Sequence, residues 1–375
     1  MKVGMIPQLT SFNGKPDFQT YQEELALADM AEDMGFDSIW ALDHHFTGYT
    51  MSPDPTQMLT YFAGRTKRVQ LGTAVIVLPW HDPVEVAEKI ALLDVLSNGR
   101  TIIGFGRGAA TVEYEGYRIP MHESRERFVE CAEIVRKGLT QDSFSYDGKY
   151  YQIPEIQIRP RPISHPEQRF YASSVSPESA EIMAKLGLGV LIIAQRSWED
   201  TAADYRRYVE NALASGFQPR PPIGLFNVLV SDDAQEAEDL AQVHMGAMFD
   251  SIENHYRFSS GRLNEVKGYE FYGKMAKTYA KLNADEEAKA KAVAFYRSLH
   301  AAGTAEQVLE KFRYVHSTVA LEHVVNTFGF GGMPIDKLRR SYQLFAERVL
   351  PVLQHDAAFK LPKNQNGYTE MAASA

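Results

Sequence analysis

Apolar runs recur along the chain at nearly even intervals. They begin at Val3, Ser38, Val69 and Thr101, a step of roughly 30 to 35 residues, the length needed for a strand, a loop, a helix and a return. Between them the apolar period changes. Leu27, Met30, Ala31 and Met34 fall at i, i+3, i+4 and i+7, and Phe128, Ala132, Val135 and Leu139 share one face of a second helix. Further apolar runs at 169–172, 189–194, 223–230 and 321–327 bring the strands to eight. Continuous apolar strands alternating with amphipathic helices make a parallel sheet covered on its faces. Eight such units predict an α/β fold, a closed (β/α)8 TIM barrel with insertions.

The punctuation agrees with this count. Ser176-Pro177-Glu178 reads as N-cap, first-turn proline and first-turn acid of a helix, and Asn98-Gly99 ends the helix before Thr101. The last helix carries Leu338, Tyr342, Phe345, Val349 and Leu353 on one face, with Pro351 expected to kink or fray it. Two segments exceed a minimal barrel. One, at 140–166, holds the hairpin-like Tyr146-Asp147-Gly148-Lys149-Tyr150; the other, a polar helical stretch at 251–299, is a candidate lid. One domain is expected over 1–354, with a tail at 355–375.

Composition narrows the class. The 375 residues include 39 basic and 48 acidic ones, a formal charge of -9, so no electrostatic footprint for nucleic acid or an anionic membrane is present. The only cysteine, Cys131, excludes intrachain disulfides and a cysteine-rich metal site, and fits a reducing compartment. The opening Met1 to Ile6 is too short for a signal h-region, and no apolar run reaches membrane-spanning length. A cytoplasmic enzyme is expected.

The chemistry gathers at Asp43-His44-His45-Phe46-Thr47-Gly48, directly after the strand at 38–42. Parallel α/β barrels place their active sites at the carboxyl ends of their strands, and imidazole titrates near neutrality, so His44 is a candidate acid-base residue. Adjacent side chains point apart in extended chain, so His45 is expected to be structural. No metal is expected, because neighbouring ligands rarely converge on one ion and no further histidine cluster stands at ligand spacing. Gly104 to Ala109 has the spacing of a dinucleotide fingerprint, but the next helical pattern begins only near Glu123, which argues against that reading. Phe328-Gly329-Phe330-Gly331-Gly332 is expected to form a substrate wall.

Several segments together resemble a known family. Asp43 to Thr47, Leu71 to Pro79, Leu93 to Arg100 and Gly104 to Gly108, followed by Ser173-Ser174, Gly303 to Val308 and Phe345 to Pro351, match the bacterial luciferase-like flavin monooxygenases in order and spacing. The resemblance implies a barrel that takes reduced FMN from a separate flavin reductase and uses O2 to form a flavin hydroperoxide, which oxygenates a small apolar organic substrate. It implies a homodimer. His44 matches the family histidine that assists proton transfer, and Arg107, Arg125 and Ser174 match positions that reach the FMN phosphate. Ala74-Val75 matches the place of a cis peptide beneath the flavin, and Asp43 and Gly106 are the remaining expected flavin contacts. Where bacterial luciferase has a cysteine before that arginine, this chain has Gly106, so light emission is not carried over and extra room is expected there. Among Phe46, Tyr49, Trp80, Tyr114 and Tyr117, about half are expected to face the pocket, with Phe46, Trp80 and Tyr114 as substrate contacts. The alternatives are a deazaflavin-dependent oxidoreductase of the same superfamily and a non-catalytic flavin-binding subunit.

Overall fold

The structure is a computed structural model that describes residues 1–174 and 177–361. Eight parallel strands form the ring: Lys2–Ile6, Ser38–Ala41, Gln70–Val77, Thr101–Gly106, Phe170–Ser174, Gly189–Ile193, Ile223–Val230 and His323–Thr327. Each pairs with the next, and the ring closes where Lys2 meets His323. The strands start within a residue or two of the apolar runs that predict them, because strands buried on both faces leave an unbroken hydrophobic signature. A short strand, Ala301–Gly303, extends the seventh along Val228 to Val230. The register between the third and fourth strands shifts between Thr73 and Ile76, and the Ala74–Val75 peptide within that shift is cis.

Helices start where the sequence supplies their caps. Asp54 and Asp82 each accept two backbone N–H bonds at the head of a helix whose first residue is proline, which satisfies orphan donors and fixes the first φ. Thr304 and Gln307 make a reciprocal capping box. The 140–166 segment folds as an antiparallel hairpin, Phe144–Asp147 with Gln152–Ile156.

Three expectations change. The first helix, Asp17–Asp29, stops before Met30, and turns ending at left-handed Gly35 carry Ala31 into the core. A helix at Thr111–Tyr117 has no helical signature in the sequence, since Thr111 and Val112 are β-branched and Gly116 sits near its end. Around Pro351 the chain does not fray: a π-turn, Phe345–Val349, takes up the missing N–H, and Phe359 beyond it is fully buried. The chain after 354 therefore begins as part of the body.

The barrel interior is plugged from below. Trp40 lies inside with Ile6, Ile102, Leu191 and Val325, and its indole N–H donates to Ser38 Oγ at 2.7 Å, which in turn meets His323 Nε2 at 2.8 Å. A Cβ at Gly4 or Gly72 would overlap Trp40, so glycine at both positions is what admits the ring. Among the described residues, no helix is long and apolar enough to cross a membrane.

Candidate active site

Above Trp40 the strand ends open into a cavity of about 220 Å³. Its wall takes Leu42 and His44 from the second strand end, Ala74 and Val75 from the third, and Arg107 from the fourth. The long helix Ala234–Tyr256 and the helices Glu270–Ala284 and Glu286–Leu299 roof it with Met248, Tyr256, Tyr272 and Tyr296.

A buried carboxylate organises one side. Glu113, on the Thr111–Tyr117 helix, is fully buried, and its Oε1 meets His44 Nδ1 at 3.0 Å, accepts the His45 backbone N–H at 2.8 Å and lies 3.4 Å from His255 Nε2. Burial alone would raise its carboxyl, but the His44 imidazole and the hydrogen bonds of His255 and His44 outweigh that and hold it at about 2. An ionised carboxylate can only accept, so Nδ1 of His44 carries hydrogen. Nε2 is then the nitrogen left for a proton in the cavity, and it has no protein partner among the described residues. His255 is pushed down by burial and pairs its other nitrogen with Thr47 Oγ1 at 2.7 Å.

Behind this wall lies a second hub. Asp43 Oδ1 meets His45 Nε2 at 2.8 Å, and Oδ2 meets His81 Nε2 at 2.9 Å and the Val77 backbone N–H at 2.8 Å. Burial would raise Asp43, but these donors bring it down to about 2; burial would lower His81, yet its bond to Asp43 raises it. The sequence argument about ligand spacing does not survive folding, because His81 joins Asp43 and His45, and Glu113 and His255 join His44, each set with its donor atoms within 4.8 Å. His44, His45 and His81 are each hydrogen-bonded to the carboxylate of their set, and His255 Nε2 stands 3.4 Å from Glu113 Oε1.

The two arginines converge. Arg107 donates to the Gly268 carbonyl at 2.7 Å and Arg125 to the same oxygen at 3.3 Å, although they lie on different elements. Tyr269 stacks under the Arg107 guanidinium at 4.0 Å, and Tyr114 donates its hydroxyl to the Arg107 carbonyl.

The expected site residues therefore separate. His44, Ala74, Val75, Arg107, Trp80 and Tyr49 line the cavity. Asp43 also reaches it, but both its oxygens are taken by protein donors. Phe46, expected against substrate, sits at φ 64° and is 59% exposed, so it turns outward, and Tyr114 is buried behind Arg107 rather than in the wall. The room expected at Gly106 is filled by the Val75 side chain. The glycine loop after Thr327 packs away from the cavity: Phe328 and Phe330 are core, and Gly329 abuts Glu24. The fingerprint glycines are followed by the Thr111–Tyr117 helix after all, but Gly104 and Gly106 belong to a barrel strand. The Ser174 side chain and Ser176 lie outside the described residues. Sequence reasoning missed Glu113, His81, His255 and His300, none of which carries a local motif.

A closed parallel barrel with imidazole, carboxylate and guanidinium groups at its carboxyl end defines an enzyme of the TIM-barrel class. The luciferase-like monooxygenase family model matches residues 1–322, and the chain belongs to that family, which includes flavin-dependent monooxygenases. It is similar to the alkanal monooxygenase alpha chain of Photorhabdus luminescens, 25% identical over 336 residues, 89% of this chain and 91% of that one. It also resembles the oxygenase component of flavin-dependent trigonelline monooxygenase from Acinetobacter baylyi, 27% identical over 62% of this chain and 65% of the other. Among solved structures, monooxygenase RslO1 of Streptomyces bottropensis superposes with a TM-score of 0.78 at 26% identity, covering 94% of this chain and 99% of its own.

Proposed function

We propose that the protein is the oxygenase component of a two-component system, taking reduced FMN from a separate reductase and inserting oxygen from O2 into a small, largely apolar organic substrate. The observation that carries this reading is the convergence of Arg107 and Arg125 on one oxygen at the rim of the His44 cavity. Two guanidiniums aimed at a single acceptor suit a phosphate, which offers several oxygens to planar donors. Bound there, reduced FMN would supply the electrons that activate O2. Arg107 and Arg125 would hold the phosphate, the wall at Ala74 and Val75 would receive the ring system, and Trp80, Tyr49 and Tyr256 would keep water away. His44, fixed by Glu113 through Nδ1, accepts or returns a proton at Nε2.

The test is single-turnover product yield with photoreduced FMN across apolar aldehydes, ketones and terpenes. His44→Ala should lower the yield roughly 10² to 10⁴-fold with FMN affinity nearly intact. Wild-type yield in that variant would remove His44 from the chemistry. Hydride transfer to or from a deazaflavin, with no oxygen consumed beside reduced FMN, would replace the monooxygenase reading.

A further inference from the structure

The cavity wall opposite Arg107 holds two hydrogen-bond donors that the reading above does not use. His300 follows the helix Glu286–Leu299 and lines the cavity together with Tyr296 and Asn227, the last being on the seventh strand. The Asn227 backbone N–H donates to His300 Nδ1 at 3.2 Å. That nitrogen is therefore the acceptor, and the hydrogen of the neutral ring sits on Nε2. Nε2 is buried and has no partner among the described residues. Burial pushes the imidazole down to about 3, so at neutral pH the group is a fixed donor without charge.

Tyr296 completes the arrangement. Its hydroxyl oxygen accepts from the Asn227 side-chain amide at 2.6 Å, which leaves its own hydrogen to be donated elsewhere. Its ring meets the His300 ring edge to face, with centroids 4.6 Å apart. Burial raises the phenol, which stays protonated. Asn227 thus uses its backbone to fix one donor and its side chain to fix the other.

We propose that His300 Nε2–H and Tyr296 O–H recognise an oxygen acceptor of the carbonyl type on an otherwise apolar substrate. A neutral donor pair in an aromatic pocket favours a ketone or aldehyde oxygen over a carboxylate, whose charge would find no cation on this wall. It also discriminates against a plain hydrocarbon, because a buried donor left unmet by the ligand is costly and a carbonyl relieves that cost. The fifth and sixth strands of the barrel lie between Asn227 on the seventh and Arg107 after the fourth, so the phosphate and this oxygen occupy different sides of the mouth. The inference rests on the monooxygenase reading for the word substrate, but the donors stand without it.

The experiment uses matched ligands on the full chain, with and without oxidised FMN: carvone against limonene, 2-tetralone against tetralin, and 2-decanone against decane, by calorimetry. Wild type should bind the ketone about tenfold more tightly in at least one pair. His300→Phe should bring that ratio to within about twofold of unity, and Tyr296→Phe should reduce it. Long-range proton–nitrogen NMR of the free wild type should show His300 protonated on Nε2, and the ketone should shift that resonance. An unchanged ratio in both variants, no preference in any pair, or the opposite tautomer each overturns the proposal. An FMN titration of the same samples separates the two readings: ketone preference without FMN binding sinks only the cofactor assignment, and FMN binding without ketone preference sinks only this one.

Discussion

Replacing Glu113 by glutamine keeps the shape of the side chain and removes its charge from between His44 and His255. Held at about 2 rather than the ordinary 4.5, the carboxylate favours the folded state by about 3 kcal/mol once ionised. Because the native value is depressed, this contribution is complete above about pH 5 and is lost as pH falls toward 2; at pH 3 about 1 kcal/mol remains. Glu113→Gln should therefore be less stable than wild type by up to about 3 kcal/mol at pH 7. For a chain of this length that is a drop of about 4 °C in Tm, if unfolding is two-state. Urea unfolding of both proteins at pH 7, 5, 4 and 3 measures the gap directly, and wild type minus variant cancels every other titrating group to first order. The gap should hold between pH 7 and 5 and shrink to about a third by pH 3. A gap that stays constant over this range would show that Glu113 contributes shape alone and would falsify the ion-pair account of His44. The same variant should give at least tenfold less single-turnover product with unchanged FMN affinity, since only the anchoring of the imidazole is altered.

Removing either phosphate arginine, Arg107→Ala or Arg125→Ala, should weaken FMN by about 1.5 to 3 kcal/mol in a fluorescence titration, and unchanged affinity in both would put the phosphate elsewhere. Gly268→Ala sets a methyl against both guanidiniums at a backbone φ of 85°, so it should loosen the carbonyl contact, expose the 257–284 region to limited proteolysis and tighten FMN about threefold by removing a competitor; weaker FMN binding would mean that the carbonyl helps to build the site. Glu24 is raised by burial to about 8, a native value above the unfolded one, so its contribution is present below about pH 4.5 and is lost as pH rises through 8, by about 5 kcal/mol at most. Glu24→Gln should therefore gain on wild type steadily from pH 5 to 8 and level off above that in urea melts, and parallel curves would refute the buried-acid account.

The barrel was legible because its signal is local and repeated: eight apolar runs, and the Asn98-Gly99 that ends the helix before Thr101, each need only a few neighbours to be read. His44, Arg107 and Arg125 were found through motif context, which fixes a residue's place on a strand end but not its partners. Glu113 was invisible for a physical reason. In Thr-Val-Glu-Tyr-Glu-Gly-Tyr it looks like one of two solvated acids on a weak helix, and only the approach of His44 and His255, 69 residues before it and 142 after it, makes it a buried anion. His300 is read in the same way only after Asn227 is brought to it. Phe46 fell to the converse error, since its aromatic character says nothing about a left-handed backbone that turns it outward.

The tryptophan wedged inside the barrel has a kinetic consequence. With Trp40 and its glycine neighbours closing the lower end, the chamber among the described residues is a blind alley, entered past the helices that roof it. Flavin and organic substrate must then share one doorway, and whichever settles deeper has to arrive first and depart last. Steady-state patterns should be ordered rather than random, and an inert ligand lodged at the roof should trap the flavin beneath it, slowing cofactor exchange without touching cofactor affinity for the open form.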